Sequence, residues 1–170
     1  AKKMNDGLYL LTASFDNAQP DFDALAGKEL EAAKKAWEEE KDYEVVDELP
    51  FWFNGQGFIN KKRSRLYIYN SADGSLKPLI EPLFDVGGVK YCAGGHKVIY
   101  TGHSFSAMRS QSNALYLHDV KSGETTCLVE DGSFSIHGFC LDHENSRIVF
   151  AASQVEDGAP LPGNGLYAVG

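Results

Sequence analysis

The sequence predicts an all-β fold made of repeated antiparallel units. A short strand containing Leu-Tyr occurs three times, at 64–69, 113–118 and 164–169. The first two copies are each followed by a glycine-containing turn and a further short strand, at 76–80 and 125–129. A repeat of roughly 50 residues made of short strands is typical of a β-propeller, with one blade per repeat. We therefore predict a partial β-propeller of about three four-stranded antiparallel blades, the first and last incomplete.

The repeats place three consecutive blades along the chain. Their approximate bounds are 7–82, 86–131 and 133–170. Runs rich in β-branched and aromatic residues predict the remaining strands, which are at 9–12, 89–92, 98–101, 136–140 and 148–151. The middle blade alone has counterparts for all four strands. Because a propeller closes with four to eight blades, we expect the chain to be a piece of a longer protein.

An insertion at about 23–42 interrupts the first blade. It is rich in Ala, Glu and Lys, and its apolar residues recur at helical spacing along one face, namely Ala26, Leu30, Ala33 and Trp37. We predict an amphipathic helix that docks on the propeller through Trp37. Shorter insertions, at 103–112 and 154–163, occupy the same strand-to-strand connection in the other blades. We expect all three on one side of the disc, where such loops often form a ligand or partner surface.

Composition and charge exclude several classes of function. The 170 residues carry a formal net charge of −8, and the basic cluster at 61–65 is interpreted as a solvated loop, so a nucleic-acid partner is not expected. No apolar run approaches the ~18 residues of a membrane helix, and no signal peptide is evident. Cys92, Cys127 and Cys140 lack CxxC spacing. The odd number and the spacing favour a reducing, cytoplasmic location. We interpret Cys92 and Cys140 as equivalent positions in successive blades and as buried structural thiols.

No pattern in the chain predicts a catalytic, cofactor-binding or metal site. The stretch 102–106 approaches a nucleophile elbow, but Ser106 stands where the final glycine is required, so catalysis by Ser104 is rejected. The five histidines lack metal-site spacing, and the glycine pairs do not form a phosphate loop. Glu39 and Glu40, near the end of the predicted helix, could bind an α-ammonium group. The alternative is that both are simply solvated.

The stretch 43–58 distinguishes between protein families that contain propellers. It contains Leu49-Pro50-Phe51 and Asn54-Gly55-Gln56-Gly57-Phe58, and it leads into Arg65-Leu66-Tyr67-Ile68-Tyr69. Three parts therefore follow one another along the chain. They are a charged helical insertion, a stretch with Pro-aromatic and Asn-Gly-x-Gly motifs, and a Leu-Tyr strand. In this order the chain resembles the N-terminal propeller of prolyl oligopeptidase family serine peptidases, especially the acylaminoacyl-peptidase-like branch.

The resemblance implies a parent protein with a C-terminal α/β-hydrolase domain that carries a Ser-Asp-His triad. The propeller would act as a substrate-gating lid that admits short peptides, and it would often help to form oligomers. No triad residue can be placed in this chain. In the related dipeptidyl peptidases a propeller helix presents two glutamates to the substrate amino terminus, a role that the resemblance suggests for Glu39 and Glu40. The residues that flank them, Ala36-Trp37 and Lys41-Asp42, depart from that motif.

Two other functions remain open. A non-enzymatic propeller would serve as a scaffold for protein–protein interaction through its insertions. A short standalone protein would close its propeller by oligomerising. Because successive blades rely on one another for burial, we expect the open faces of the end blades to pair with another copy.

Overall fold

The computed structural model describes residues 1–4, 6–43, 45–92, 96–141 and 147–170. Two turns predicted at 93–95 and 142–145 lie outside these residues, as does Glu44 of the 43–58 stretch. One α-helix, α1, spans Gly27–Glu39, between short 3-10 helices at Phe22–Ala24 and Glu40–Asp42. The strands are β1 (Lys2–Lys3), β2 (Leu8–Asp16), β3 (Trp52–Phe53), β4 (Gly57–Phe58), β5 (Lys62–Asn70), β6 (Leu76–Pro78), β7 (Phe84–Cys92), β8 (Lys97–Ser104), β9 (Ala114–Asp119), β10 (Thr125–Val129), β11 (Phe134–Leu141), β12 (Ile148–Glu156), β13 (Ala159–Pro160) and β14 (Gly165–Val169).

Three antiparallel sheets follow one another along the chain. Sheet one has the order β1-β2-β5-β6 and sheet two the order β7-β8-β9-β10. In sheet three, β12 pairs with β11 on one side and with β14 on the other, and β13 pairs with the far end of β12. The three Leu-Tyr segments form β5, β9 and β14, the same position in each sheet. The predicted all-β class with one inserted helix is confirmed for the described residues, and β1 is a strand that the sequence did not predict.

Two hydrophobic clusters join the sheets face to face. The first contains Leu10 and Leu66 of sheet one together with Phe84, Val98 and Tyr100 of sheet two. The second joins sheets two and three, and its buried members are Cys92, Ile99, Leu115, Ile136, Phe139, Ile148, Phe150 and Ala152. Leu66 and Leu115 hold the same repeat position and are both 0% exposed. Full burial of a leucine side chain contributes about 1.5–3 kcal/mol, so this position stabilises both sheet–sheet contacts.

Sheets two and three contain the same arrangement of three aromatic side chains. In sheet two the rings of Tyr100 and Tyr116 stack with centroids 5.2 Å apart, and Phe84 packs edge-on against both. In sheet three Phe150 and Tyr167 stack at 5.5 Å, beside Phe134. Each trio comes from the first three strands of its own sheet.

Helix α1 lies at the surface. Leu30, Ala33 and Trp37 of the predicted stripe are half-buried, whereas Ala26 precedes the helix and is exposed. Trp37 lines a surface cavity of about 290 Å³ together with Asp16 and Lys62, at one end of sheet one. The helix therefore lies beside this end of sheet one, and none of its residues is buried or belongs to the two hydrophobic clusters. That Trp37 docks the helix on the sheet stays a prediction.

The prediction of buried thiols is right for Cys92, which is buried, and wrong for Cys140, which is exposed. Cys127 is exposed as well. Cys140 pairs in register with Val149, so it stands on the face of sheet three that points away from sheet two. By register its counterpart in sheet two is Lys90, which pairs with Ile99. The prediction that Cys92 and Cys140 are equivalent is therefore wrong, because the two residues lie at different positions along their strands.

Truncation of Leu115 tests the core assignment. Leu115→Ala should lower the free energy of unfolding by about 2–5 kcal/mol, because it leaves a cavity between two sheets. Leu161→Ala is the matched control, since Leu161 is 40% exposed, and it should change stability by no more than about 0.5 kcal/mol. Urea denaturation followed by tryptophan fluorescence measures both. Equal effects of the two substitutions would contradict the assignment.

Candidate functional site

The β2–β5 connection, which carries the first insertion, pairs with the second insertion at one end of sheets one and two. Leu49 and Met108 form an isolated parallel bridge. The backbone N–H of Leu49 donates to the carbonyl of Ala107 at 2.7 Å, and that of Arg109 donates to the carbonyl of Leu49 at 2.8 Å. The connections that carry the first two insertions therefore lie on one side, as expected. We call residues 45–49 of the β2–β5 connection the strap.

A buried ion pair anchors the strap to sheet one. The side chains of Glu48 and Arg63 are 1% and 0% exposed. Nη2 of Arg63 donates to Oε1 of Glu48 at 2.7 Å, and Nη1 donates to Oε2 at 3.1 Å. The remaining donors reach backbone carbonyls of Lys62, Leu83 and Phe105. All five N–H groups of the guanidinium are therefore used, and one side chain joins the strap, the β6–β7 connection and the second insertion.

Further polar contacts fix the strap. The Asn60 side chain accepts from the backbone N–H of Asp47 and Glu48 and donates to the carbonyl of Val45. Nζ of Lys61 lies 2.7 Å from Oδ2 of Asp47. Burial alone would raise the pKa of Glu48, but hydrogen bonds from Arg63 and from the backbone of Lys61 hold it below its ordinary value. Glu48 is therefore a fixed anion at neutral pH.

Phe105, in the second insertion, lies between two guanidinium groups. Cζ of Arg63 is 3.6 Å from the centre of its ring and Cζ of Arg109 is 6.0 Å from it. Arg109 also pairs with Asp85 of β7, with Nη2 and Oδ2 2.9 Å apart. Asp85 in turn accepts the backbone N–H of Ser64 at 2.8 Å. Arg109 and Asp85 therefore tie the second insertion to both sheets.

A polar cleft of about 410 Å³ opens beside these contacts, between sheets one and two. Its walls combine charged, hydroxyl, amide and aromatic groups, from Ser14, Gln56, Lys62, Arg63, Ser64, Asp85, Phe105 and Arg109, with Ile59, Val86 and Gly87. Donors, acceptors and an aromatic face suit a polar, peptide-like ligand. Because Arg63 is saturated by its own partners, Lys62, Asp85 and Arg109 are the charges that a ligand could meet.

His103 is a buried residue at the start of the second insertion. It is 6% exposed, its ring lies 5.4 Å from that of Phe105, and among the described residues neither ring nitrogen has a hydrogen-bond partner. Burial, and after it the positive charge of Arg109, lowers the pKa of His103. The imidazole is therefore neutral at pH 7.

An aromatic hairpin follows the strap in the β2–β5 connection. Strands β3 and β4 pair Trp52 with Phe58 and Phe53 with Gly57. Trp52, Phe53, Phe58 and the neighbouring Phe51 are all at least 40% exposed. Rings this exposed and this close together are unusual on a surface that faces only water.

The residues weighed from the sequence lie apart from this cleft. Ser104 ends β8 and donates its hydroxyl to Glu81, and a loop follows instead of a helix, so it is not on a nucleophile elbow. Glu39 pairs with Lys35 on the exposed side of α1. Glu40 lines the cavity beside Trp37.

The interpretation of 61–65 as a solvated loop is wrong. Residues 62–65 begin β5, and the buried Glu48 offsets the charge of Arg63. Nothing in the sequence indicated the pairing of Glu48 with Arg63, because Glu48 stands beside a second acidic residue, Asp47, in a short segment without periodicity.

Removal of one charge from the buried pair should be costly. Glu48→Gln is expected to lower the free energy of unfolding by about 3–5 kcal/mol, because it leaves the Arg63 guanidinium buried without a counterion. The matched control is Glu39→Gln, which breaks an exposed i,i+4 pair and should cost about 0.3–0.5 kcal/mol. Urea denaturation of both variants at pH 7 compares them. A cost for Glu48→Gln no larger than that of the control would contradict the anchoring role.

His103 should make stability depend on pH. Its pKa in the folded chain is lowered, so below about pH 6.5 the unfolded chain binds the proton more readily. The stability contribution is fully present above about pH 6.5 and is lost as the pH falls through the lower pKa of the folded chain. His118, also buried with a lowered pKa, acts in the same direction.

Denaturation between pH 7.5 and pH 5 (about the range in which histidine titrates) measures this dependence. His103→Gln should reduce the slope of stability against pH, whereas His137→Gln, at an exposed position, serves as control. An unchanged slope in His103→Gln would refute the prediction.

Comparison with known proteins gives no relative to guide the assignment. No protein-family model matches the chain, and no curated protein matches it.

Among the described residues no three His, Cys, Asp or Glu side chains are grouped so that they could hold a metal ion, and no helix is long and apolar enough to cross a membrane. The function is therefore inferred from the fold, the strap and the cleft.

Proposed function

We propose that the chain is part of a β-propeller that gates access to the active site of a serine peptidase acting on short peptides. The observation that carries this proposal is the repetition of one sheet pattern. Three consecutive antiparallel sheets present the same strand type at β5, β9 and β14, and two of the contacts between them bury the same leucine position. Radial repetition of four-stranded sheets is what distinguishes propellers from other β folds.

The contacts between the insertions support a gating role. A lid that excludes large substrates needs a fixed opening, and no chemistry of its own. The Glu48–Arg63 pair and the Arg109–Asp85 pair hold two insertions against the ends of two sheets. The adjacent cleft offers polar and aromatic groups to a peptide. In this proposal the C-terminal α/β-hydrolase domain of the parent chain supplies the catalytic triad.

The location that fits this proposal is the cytoplasm. All three cysteines are free thiols, and two of them are exposed to solvent. Exposed thiols persist in a reducing compartment and are oxidised elsewhere.

The gene offers the first test of the peptidase assignment. We expect its reading frame to continue beyond this chain and to encode Gly-x-Ser-x-Gly, then Asp, then His. A stop codon soon after Gly170, or a continuation without that motif, would refute the peptidase proposal.

Gating is tested in the parent enzyme with Arg109→Gln, which releases the second insertion from Asp85. The ratio of kcat/KM for unfolded casein to kcat/KM for a tripeptide should rise several-fold, even where loss of the Arg109 charge from the cleft lowers both values. Lys35→Gln, on the exposed face of α1, is the matched control. An unchanged ratio in Arg109→Gln, with folding verified by circular dichroism, would contradict the lid.

The second candidate is a non-enzymatic scaffold for protein–protein interaction. The exposed aromatic hairpin favours it, because clustered aromatic residues are typical of binding surfaces. The downstream gene sequence separates the two candidates, since a scaffold requires no hydrolase motif.

A further inference from the structure

Sheets two and three carry the same irregularity in their first strands. Residues 87–88 of β7 lie opposite Thr101 alone, and residues 137–138 of β11 lie opposite Ala151 alone. Each strand therefore has a β-bulge, and the two bulges hold equivalent positions in the repeat. Bulges are over-represented next to active sites, where they redirect a side chain.

The two bulges border one cavity between sheets two and three. It has a volume of about 430 Å³ and is lined by residues 87–90, Thr101, Asn113 and residues 136–139. We call this cavity the bulge cleft. The second hydrophobic cluster joins the same two sheets, so contacts within the described chain define both walls. The volume is in the range of small-molecule sites and suits the end of a short peptide.

Gly138 leaves space in the wall of the bulge cleft. Its φ is not positive, and a Cβ atom built on it would meet nothing within 4 Å. Gly88 differs, since a Cβ atom there would lie 3.0 Å from Cε1 of Phe139. Neither backbone conformation nor packing therefore requires glycine at position 138. A glycine of this kind inside a strand marks a site where a ligand or another backbone approaches closely.

Lys90 supplies a positive charge to the bulge cleft. Its Nζ lies 5.6 Å from the centre of the Phe139 ring, so the side chain extends from β7 towards sheet three. Among the residues that the structure describes, no carboxylate forms a salt bridge with Lys90 and no Asp or Glu lines the cleft. The chain as a whole has 24 acidic and 16 basic residues. A recess with a cation and without a carboxylate favours an anionic ligand.

Polar contacts fix the walls of the bulge cleft. Oγ1 of Thr101 accepts the backbone N–H of Gly88 at 2.9 Å. The side-chain amide of Asn113 accepts the N–H of Ile136 at 2.8 Å and donates to its carbonyl at 3.2 Å. Both bulges are therefore held in place from neighbouring strands before any ligand arrives.

We propose that the bulge cleft binds the carboxylate of a short peptide, with the ammonium group of Lys90 as its counterion and with Gly138 leaving room for the peptide backbone. A hydrogen bond between an ammonium and a carboxylate is charge-assisted and about twice as strong as a neutral one. The choice of a peptide rests on the function proposed above, whereas the negative charge of the ligand is argued from the cleft itself.

Isothermal titration calorimetry of the 170-residue chain at pH 7 tests the charge requirement. The probes are acetyl-trialanine with a free carboxylate, its C-terminal amide, and acetyl-Ala-Asp-Ala amide. We expect at least one of the two acids to bind about fivefold or more tightly than the neutral amide, as a charge-assisted hydrogen bond predicts. The tighter acid shows whether the carboxylate comes from the chain end or from a side chain.

Two substitutions test the site. Lys90→Gln should weaken binding of the tighter acid about fivefold or more, and Lys121→Gln, at an exposed turn position outside the cleft, is its matched control. Gly138→Val should weaken binding about tenfold or more by filling the space beside the backbone. Its control is Gln154→Val, at an exposed position of β12 outside the cleft. Circular dichroism of each variant verifies folding.

Three outcomes would overturn the proposal. They are no binding of either acid up to about 10 mM, equal binding of the acids and the neutral amide, and unchanged binding in Lys90→Gln. The Lys90 variant keeps the test decisive if Gly138→Val does not fold. None of these outcomes bears on the downstream hydrolase motif, so the peptidase proposal stands or falls separately.

Discussion

The buried pair of Glu48 and Arg63 is the interaction on which the insertion-bearing end of the molecule depends. A guanidinium removed from water is tolerable only when its charge and all of its N–H groups find partners, and Arg63 meets both conditions. Those partners come from separate segments of the chain. The requirement to satisfy one side chain therefore fixes the strap, the β6–β7 connection and the second insertion relative to sheet one.

The net stability gained from such a pair is small, because desolvation of two ions offsets most of their attraction. Its value lies in specificity, since other positions of the strap would leave a buried charge unpaired. The stability of the sheets comes instead from the repeated contact of leucine with aromatic side chains. The fold thus separates the two tasks, with apolar contacts between sheets and ionic contacts at their ends.

This separation bears on the proposed gating role. A gate must keep its dimensions when a substrate approaches, and a strap held by charge-assisted hydrogen bonds resists displacement more than one held by loose loop contacts. The Arg109–Asp85 pair is more exposed than the Glu48–Arg63 pair, with Arg109 one-third exposed. The second insertion is therefore held less firmly than the strap, and it can adjust to a ligand more easily.

The repeat, the three sheets and the place of the helix could be predicted from the sequence, because alternation in strands and periodicity in helices are local properties. Leu66, Tyr67, Leu115 and Tyr116 carried that information. The burial of Arg63 and its pairing with Glu48 could be found only in the folded structure. Those outcomes depend on which distant segments meet, and the pairing of residues fifteen or more positions apart leaves no periodic trace in a single chain.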